Sequence, residues 1–129
     1  PLYEGKMVQA YDHRAASVII NKSNVNRPAQ PKTTEMSEYE NPSFFPNSQF
    51  WVNSQETKDV ANQNWLLGFK DVTAPTNMRS MIASIIPLSG VGNTFPLLFP
   101  DMKEAGLGEQ TRLHVFNILN KSFKENILI

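Results

Sequence analysis

Residues 65–87, WLLGFKDVTAPTNMRSMIASIIP, read as two strands joined by a polar loop, and this stretch decides the fold. Trp65, Leu67 and Phe69 fall on one face of an extended segment and Gly68 and Lys70 on the other, the alternation of a half-buried strand. Met81, Ala83 and Ile85 alternate with Ile82, Ser84 and Ile86, which makes the second segment apolar on both faces and predicts deeper burial. Between them lies DVTAPTNMRS. Pro75 fixes its own φ and lacks a backbone donor, and Thr73, Thr76, Asn77 and Ser80 hydrogen-bond locally, so the sheet should be interrupted there.

Upstream, residues 54–64 are polar and predict a short helix with Val60 as its one buried side chain. From 21 to 53 Asn, Ser, Thr and four of the prolines (Pro28, Pro31, Pro42, Pro46) concentrate, so residues 21–49 are expected to be a long polar, proline-rich loop or insertion. Phe50, Trp51 and Val52 should anchor the returning chain. Residues 17–20 look like a strand, with Asp12, His13 and Arg14 at a bend before it. Downstream, Gly90, Gly92, Pro96 and Pro100 forbid a long helix but allow a turn and a short apolar segment through Phe95 and Phe99. Leu113, Phe116, Phe123 and Ile127 recur at helical spacing with Arg112, Lys121, Lys124 and Glu125 opposite, which predicts a C-terminal helix. The expected fold is α+β, a small mixed or antiparallel sheet, covering 65–72 and 81–86, with that helix packed on it through Leu113, Phe116 and Phe123.

At 129 residues the chain is long enough for one domain with a real core and too short for two ordinary ones. Twelve Lys and Arg balance twelve Asp and Glu, so the bulk field attracts neither polyanions nor basic partners. The absence of cysteine removes disulfides and thiolate chemistry, and makes a cytoplasmic location the plain expectation. No window approaches the roughly 18 consecutive apolar residues of a membrane span. The opening at Pro1 and the apolar close at Ile127, Leu128 and Ile129 lead us to expect a piece excised from a larger protein.

Several clusters invite a chemical reading. Asp12 beside His13 suggests acid–base work, but neighbouring side chains diverge in a bend, and a bidentate phosphate contact is the better use of Arg14. Gly90-Val91-Gly92-Asn93-Thr94 lacks the Lys-Ser/Thr pair of a nucleotide loop and reads as a turn. His114 is a packed or surface histidine, and Glu35, Glu38 and Glu40 form a solvated face. A nuclease would need Asp12, His13 and a distant acid such as Glu35 to meet around a metal, the least favoured reading. The 73–80 loop is different in kind: Thr73, Thr76, Asn77, Arg79 and Ser80, with Lys70 just upstream, are side chains that contact phosphates and base edges.

Four segments, in order, resemble one family: PLYEGKMVQAYDHR at 1–14, FWV at 50–52, WLLGFKDVTAPTNMRSMIASIIPLSGVGNTFPLLF at 65–99 and LHVFNILNKSF at 113–123. They are similar to the region that follows the catalytic domain in bacterial adenine-specific DNA methyltransferases and combined restriction-modification enzymes, including those of phage defence. The resemblance implies the start of a target-recognition domain, which grips double-stranded DNA while the methyltransferase domain of the same chain transfers a methyl group from S-adenosylmethionine. No cofactor is expected in this fragment and it should not be an enzyme by itself: Asn41-Pro42-Ser43-Phe44 lacks the second proline of the family's catalytic motif. Lys70 stands where the family typically shows Arg, and Asn77-Met78-Arg79-Ser80 where it typically shows Asn-Glu-Arg-Thr. The expected DNA contacts are Arg14, Lys70 and Arg79 to phosphates, with Thr76 and Asn77 to bases. An alternative is a structural spacer that docks the recognition and catalytic domains without touching DNA, with Phe44, Phe45, Phe50 and Trp51 as its interface.

Overall fold

The computed structural model of the protein describes residues 1–58, 63–79 and 81–99. Over these the chain is a small mixture of short strands and short helices with antiparallel sheets. The expected C-terminal helix, with His114, and the expected burial of Val60 lie outside the described residues.

The central strand pair forms as the sequence predicts, with shorter bounds. We number the strands in chain order: β1 Leu2–Tyr3, β2 Ala16–Ile20, β3 Ala29–Thr33, β4 Trp65–Phe69, β5 Ala83–Pro87, β6 Gly90–Val91 and β7 Leu97–Leu98. β4 pairs antiparallel with β5, in register from Trp65 opposite Pro87 to Phe69 opposite Ala83, and on its other edge with β7. The faces, however, differ from expectation. Leu66 and Gly68 point into the core beside Ile86 and Ser84, whereas Leu67, Phe69, Ala83 and Ile85 are half-buried and Met81 is exposed. Phe95 decides this. Its ring lies so close over Gly68 that a Cβ there would overlap it, so the glycine face receives the aromatic. The second strand is therefore buried on one face, not two.

Around that face the core gathers Tyr3, Met7, Val8, Val18, Leu66, Ile86 and Phe95. Three of these come from the first eight residues. β1 runs parallel to β6, the Gly92 N–H donates to the Tyr3 carbonyl at 2.7 Å, and the Leu2 N–H donates to the Phe50 carbonyl at 2.9 Å. The N-terminal strand is thus held from both sides. A 3-10 turn over Gly5–Met7 follows, and the Gly5 amide donates to Thr94 Oγ1 at 3.0 Å.

The expected loop at 21–49 is corrected: it holds β3 and a helical turn, α1 (Met36–Tyr39). β2 and β3 form an antiparallel hairpin from Ala16 opposite Thr33 to Ile20 opposite Ala29. Pro31 is tolerated in β3 because its partner Val18 gives its N–H to Asn47 instead, at 2.8 Å, so no ladder bond is lost. The Asn- and Ser-rich stretch 21–28 is the hairpin's turn. Asn21 accepts from the Ser23 amide and hydroxyl, and Asn24 Oδ1 from the Arg27 amide. α1 begins with a capping box in which Glu35 and Glu38 satisfy each other's backbone donors. A second short helix, α2, covers Ser54–Lys58 with Thr57 buried.

Candidate nucleic-acid interface

The five residues expected to touch DNA separate into three environments. Arg14 belongs to the interior. It is only 3% exposed, its Nη1 donates to the Asn41 carbonyl at 3.1 Å and its Nη2 to the Tyr39 carbonyl at 3.0 Å. Its guanidinium also lies over the rings of Tyr39 and Phe44, at 5.4 and 6.0 Å. The Tyr39 carbonyl ends α1, where the last oxygens have no partner within the helix, so the cation serves it; the Asn41 carbonyl, past the helix, also accepts from the Phe44 amide at 3.0 Å. The expected phosphate contact of Arg14 is corrected accordingly, because its guanidinium is buried and both terminal nitrogens donate inside.

Asp12 completes this knot. Its Oδ1 accepts from the Arg14 amide at 2.8 Å and its Oδ2 from the Tyr39 hydroxyl at 2.6 Å. Burial, and then the hydrogen bond to Asp12, push the Tyr39 phenol up to about 12. Burial holds His13 down at about 4 against the opposing pull of Asp12. Among the described residues no group of three or more His, Asp or Glu could hold a metal ion.

Thr76, Asn77 and Arg79 form the second environment. After Phe69 the chain leaves β4, tied by the Lys70 amide to the Ile82 carbonyl at 2.9 Å and the Asp71 amide to the Thr94 carbonyl at 3.2 Å. A turn follows in which the Asn77 amide donates to the Ala74 carbonyl at 3.0 Å, as Pro75 inside it favours. Ala74 through Arg79 are all exposed. Thr76, Asn77 and Arg79 line one open pocket of about 410 Å³, with Gln9, Met78 and Ile82. Thr73 is half-buried and faces no part of it, and Ser80 lies outside the described residues.

Next to Arg79 stands a residue that the sequence does not mark. Tyr11 carries a positive φ of 63°, is 83% exposed, and has the Arg79 guanidinium 5.8 Å above its ring. Its amide donates to the Ala83 carbonyl at 3.0 Å, which pins the turn to the start of β5. Nothing in the local sequence marks Tyr11, since a left-handed tyrosine is a product of tertiary pinning.

Lys70 stands alone in the third environment. It is half-buried, burial lowers its ammonium pKa, and it lines a second open cleft of about 650 Å³. Lys6 and Arg27 line the same cleft, and neither was singled out by the sequence.

Elsewhere on the surface Phe45, Phe50 and Trp51 are exposed, while Phe44 is half-buried under Arg14. Among the described residues no helix is long and apolar enough to cross a membrane. No protein-family profile, curated protein or solved structure matches the chain.

Proposed function

We propose that this chain is the DNA-contacting, non-catalytic portion of the target-recognition region of a bacterial adenine-specific DNA methyltransferase or restriction-modification enzyme. Its partners in this reading are double-stranded DNA and the methyltransferase domain of the same parent chain, in the cytoplasm, and S-adenosylmethionine belongs to that parent domain. The observation that carries it is the grouping of Thr76, Asn77 and Arg79 around one open pocket at the tip of a paired strand platform. An amide, a hydroxyl and a guanidinium converging on one exposed surface suit contacts to phosphate and base edges. With net charge zero, affinity must come from such local grouping and should fall steeply with salt.

Binding of the chain to a mixed-sequence duplex, at low and moderate salt, tests the reading. Wild type should bind in a salt-sensitive manner, and Arg79→Ala with Asn77→Ala should abolish the interaction while leaving the urea midpoint unchanged. Duplex affinity indifferent to both substitutions would reject it. The docking spacer is the second reading, favoured by one observation, the exposure of Phe45, Phe50 and Trp51. It predicts that Trp51→Ala, and not Arg79→Ala, impairs the intact parent enzyme.

A further inference from the structure

We infer that the cleft between the β2–β3 hairpin and the end of β4 is a phosphate-binding site, built by Lys6, Arg27 and Lys70. Three cations line it, and among the described residues no carboxylate does. Thr33 and Thr94 add hydroxyls. Thr94 Oγ1 accepts from the Gly5 amide, which leaves its own O–H to donate into the cleft. The remaining wall includes the buried Ala15 and Ala16, which exclude water from one side of the cleft.

The cations differ in how far they are already committed. Lys6 is held by Glu4 at 3.4 Å, but Glu4 is itself engaged by Gln49 at 2.9 and 2.8 Å, so that pair is shared. Among the described residues neither Lys70 nor the Arg27 guanidinium has an ion-pair partner. The Arg27 backbone is fixed by its amide on Asn24 Oδ1 and by its carbonyl, which accepts from Gln30 Nε2. Lys70 is partly stripped of water, which lowers its ammonium pKa, and among the described residues no carboxylate pairs with it. A dianion would supply that missing charge, with the guanidinium fork clasping two oxygens. At about 650 Å³ the cleft has room for a phosphate carrying a sugar, so the ligand is a phosphate ester, either a free nucleotide or one unit of a DNA backbone.

This stands on the cleft alone and does not depend on the DNA reading of the 76–79 pocket. The test is an amide-resolved NMR titration of the full chain with inorganic pyrophosphate at low ionic strength. Saturable shifts confined to the cleft, at Gly5, Lys6, Arg27, Lys70 and Thr94, are expected. Arg27→Ala, at an exposed turn where folding is safe, should weaken pyrophosphate binding about tenfold, the worth of a charge-assisted contact. Lys70→Met, which keeps the apolar stem, should weaken it at least as much, and Arg79→Ala should leave it unchanged. Diffuse shifts that never saturate, or an affinity unmoved by Arg27→Ala, would overturn the site. Two competitors then identify the source: displacement of pyrophosphate by duplex DNA assigns the cleft to backbone phosphate, and displacement by a mononucleotide alone assigns it to a free ester. If duplex binding fails while pyrophosphate still saturates the cleft, the DNA reading falls and this site stands.

Discussion

Arg14 sits in a turn and Arg79 in the loop that follows one, and both carry the same five donors, yet they occupy opposite situations. Around Arg14 the Tyr39 and Asn41 carbonyls and two aromatic faces enclose a buried guanidinium, and the Asp12 carboxylate holds its backbone amide. The Arg79 guanidinium lies over the ring of an exposed tyrosine. The difference comes from what lies across from each turn. Residues 39–41 fold back over Arg14, whereas nothing among the described residues folds over 74–79. One turn is an anchor and the other is presented to solvent, so a surface arginine can serve recognition only where no helix end claims it.

The largest effect that separates the two is on stability. Arg14→Ala should lower the free energy of unfolding by about 3 kcal/mol, since it takes the guanidinium donor from the Tyr39 carbonyl, removes two charge-assisted hydrogen bonds and empties a buried site. Arg79→Ala should stay within about 0.5 kcal/mol. Urea denaturation of the two variants side by side checks this, and comparable losses would erase the distinction.

Much of the anchor was hidden from sequence, for a physical reason. Asp12, His13 and Arg14 were correctly placed at a bend, but their partners lie 25 and 27 residues away, at Tyr39 and Asn41. Local spacing carries no trace of such a contact. The same holds for β1, whose two residues pair with Gly90 and Val91, and for β3, where Pro31 masks a strand that its edge position permits. The β4–β5 pair was legible because alternation and the intervening Pro75 are local signals. Which face was buried was not, because Phe95 makes that choice from outside the pair. At the candidate interface, Thr76, Asn77 and Arg79 were legible as a list of side chains, while Tyr11 meets Arg79, and Arg27 joins its cleft, only through the fold.

Next in size is Gly68→Ala, which probes the platform under the presented loop. A methyl group there meets the Phe95 ring, and forcing the two apart should cost about 2 kcal/mol. Because β4 carries the loop, duplex affinity should fall alongside the thermal midpoint, unlike the pattern expected for Arg79→Ala. Preserved affinity in the destabilised variant would mean that the loop holds its shape without the strand.

Titration gives a smaller handle on the anchor alone. His13 has a folded pKa of about 4 beneath an unfolded value of 6.5, so on acidification the unfolded chain takes up the proton first. Its contribution is complete above pH 6.5, is lost as pH falls from there toward 4, and changes no further below that. With its partial exposure allowed for, the loss is on the order of 1 kcal/mol. His13→Gln should therefore flatten the fall of the urea midpoint between pH 6.5 and 4. An undiminished slope would place the responsible proton elsewhere.

The smallest effect is the most informative about where the anchor ends. Tyr11 sits between the two regions, its backbone bonded to the Ala83 carbonyl and its ring beneath Arg79. A tyrosine at a φ of 63° is strained, and asparagine enters the left-handed region more readily. Tyr11→Asn should thus stabilise the fold by a few tenths of a kcal/mol, about the relief of strain less a weak exposed cation–π contact. Yet it removes the surface against which the Arg79 guanidinium rests, so duplex affinity should fall about twofold to threefold through the loss of a preset pose. Opposite signs in the two measurements would assign the ring to the presented surface. A loss of stability would instead show that the ring supports the turn, and would move Tyr11 into the anchored region with Arg14.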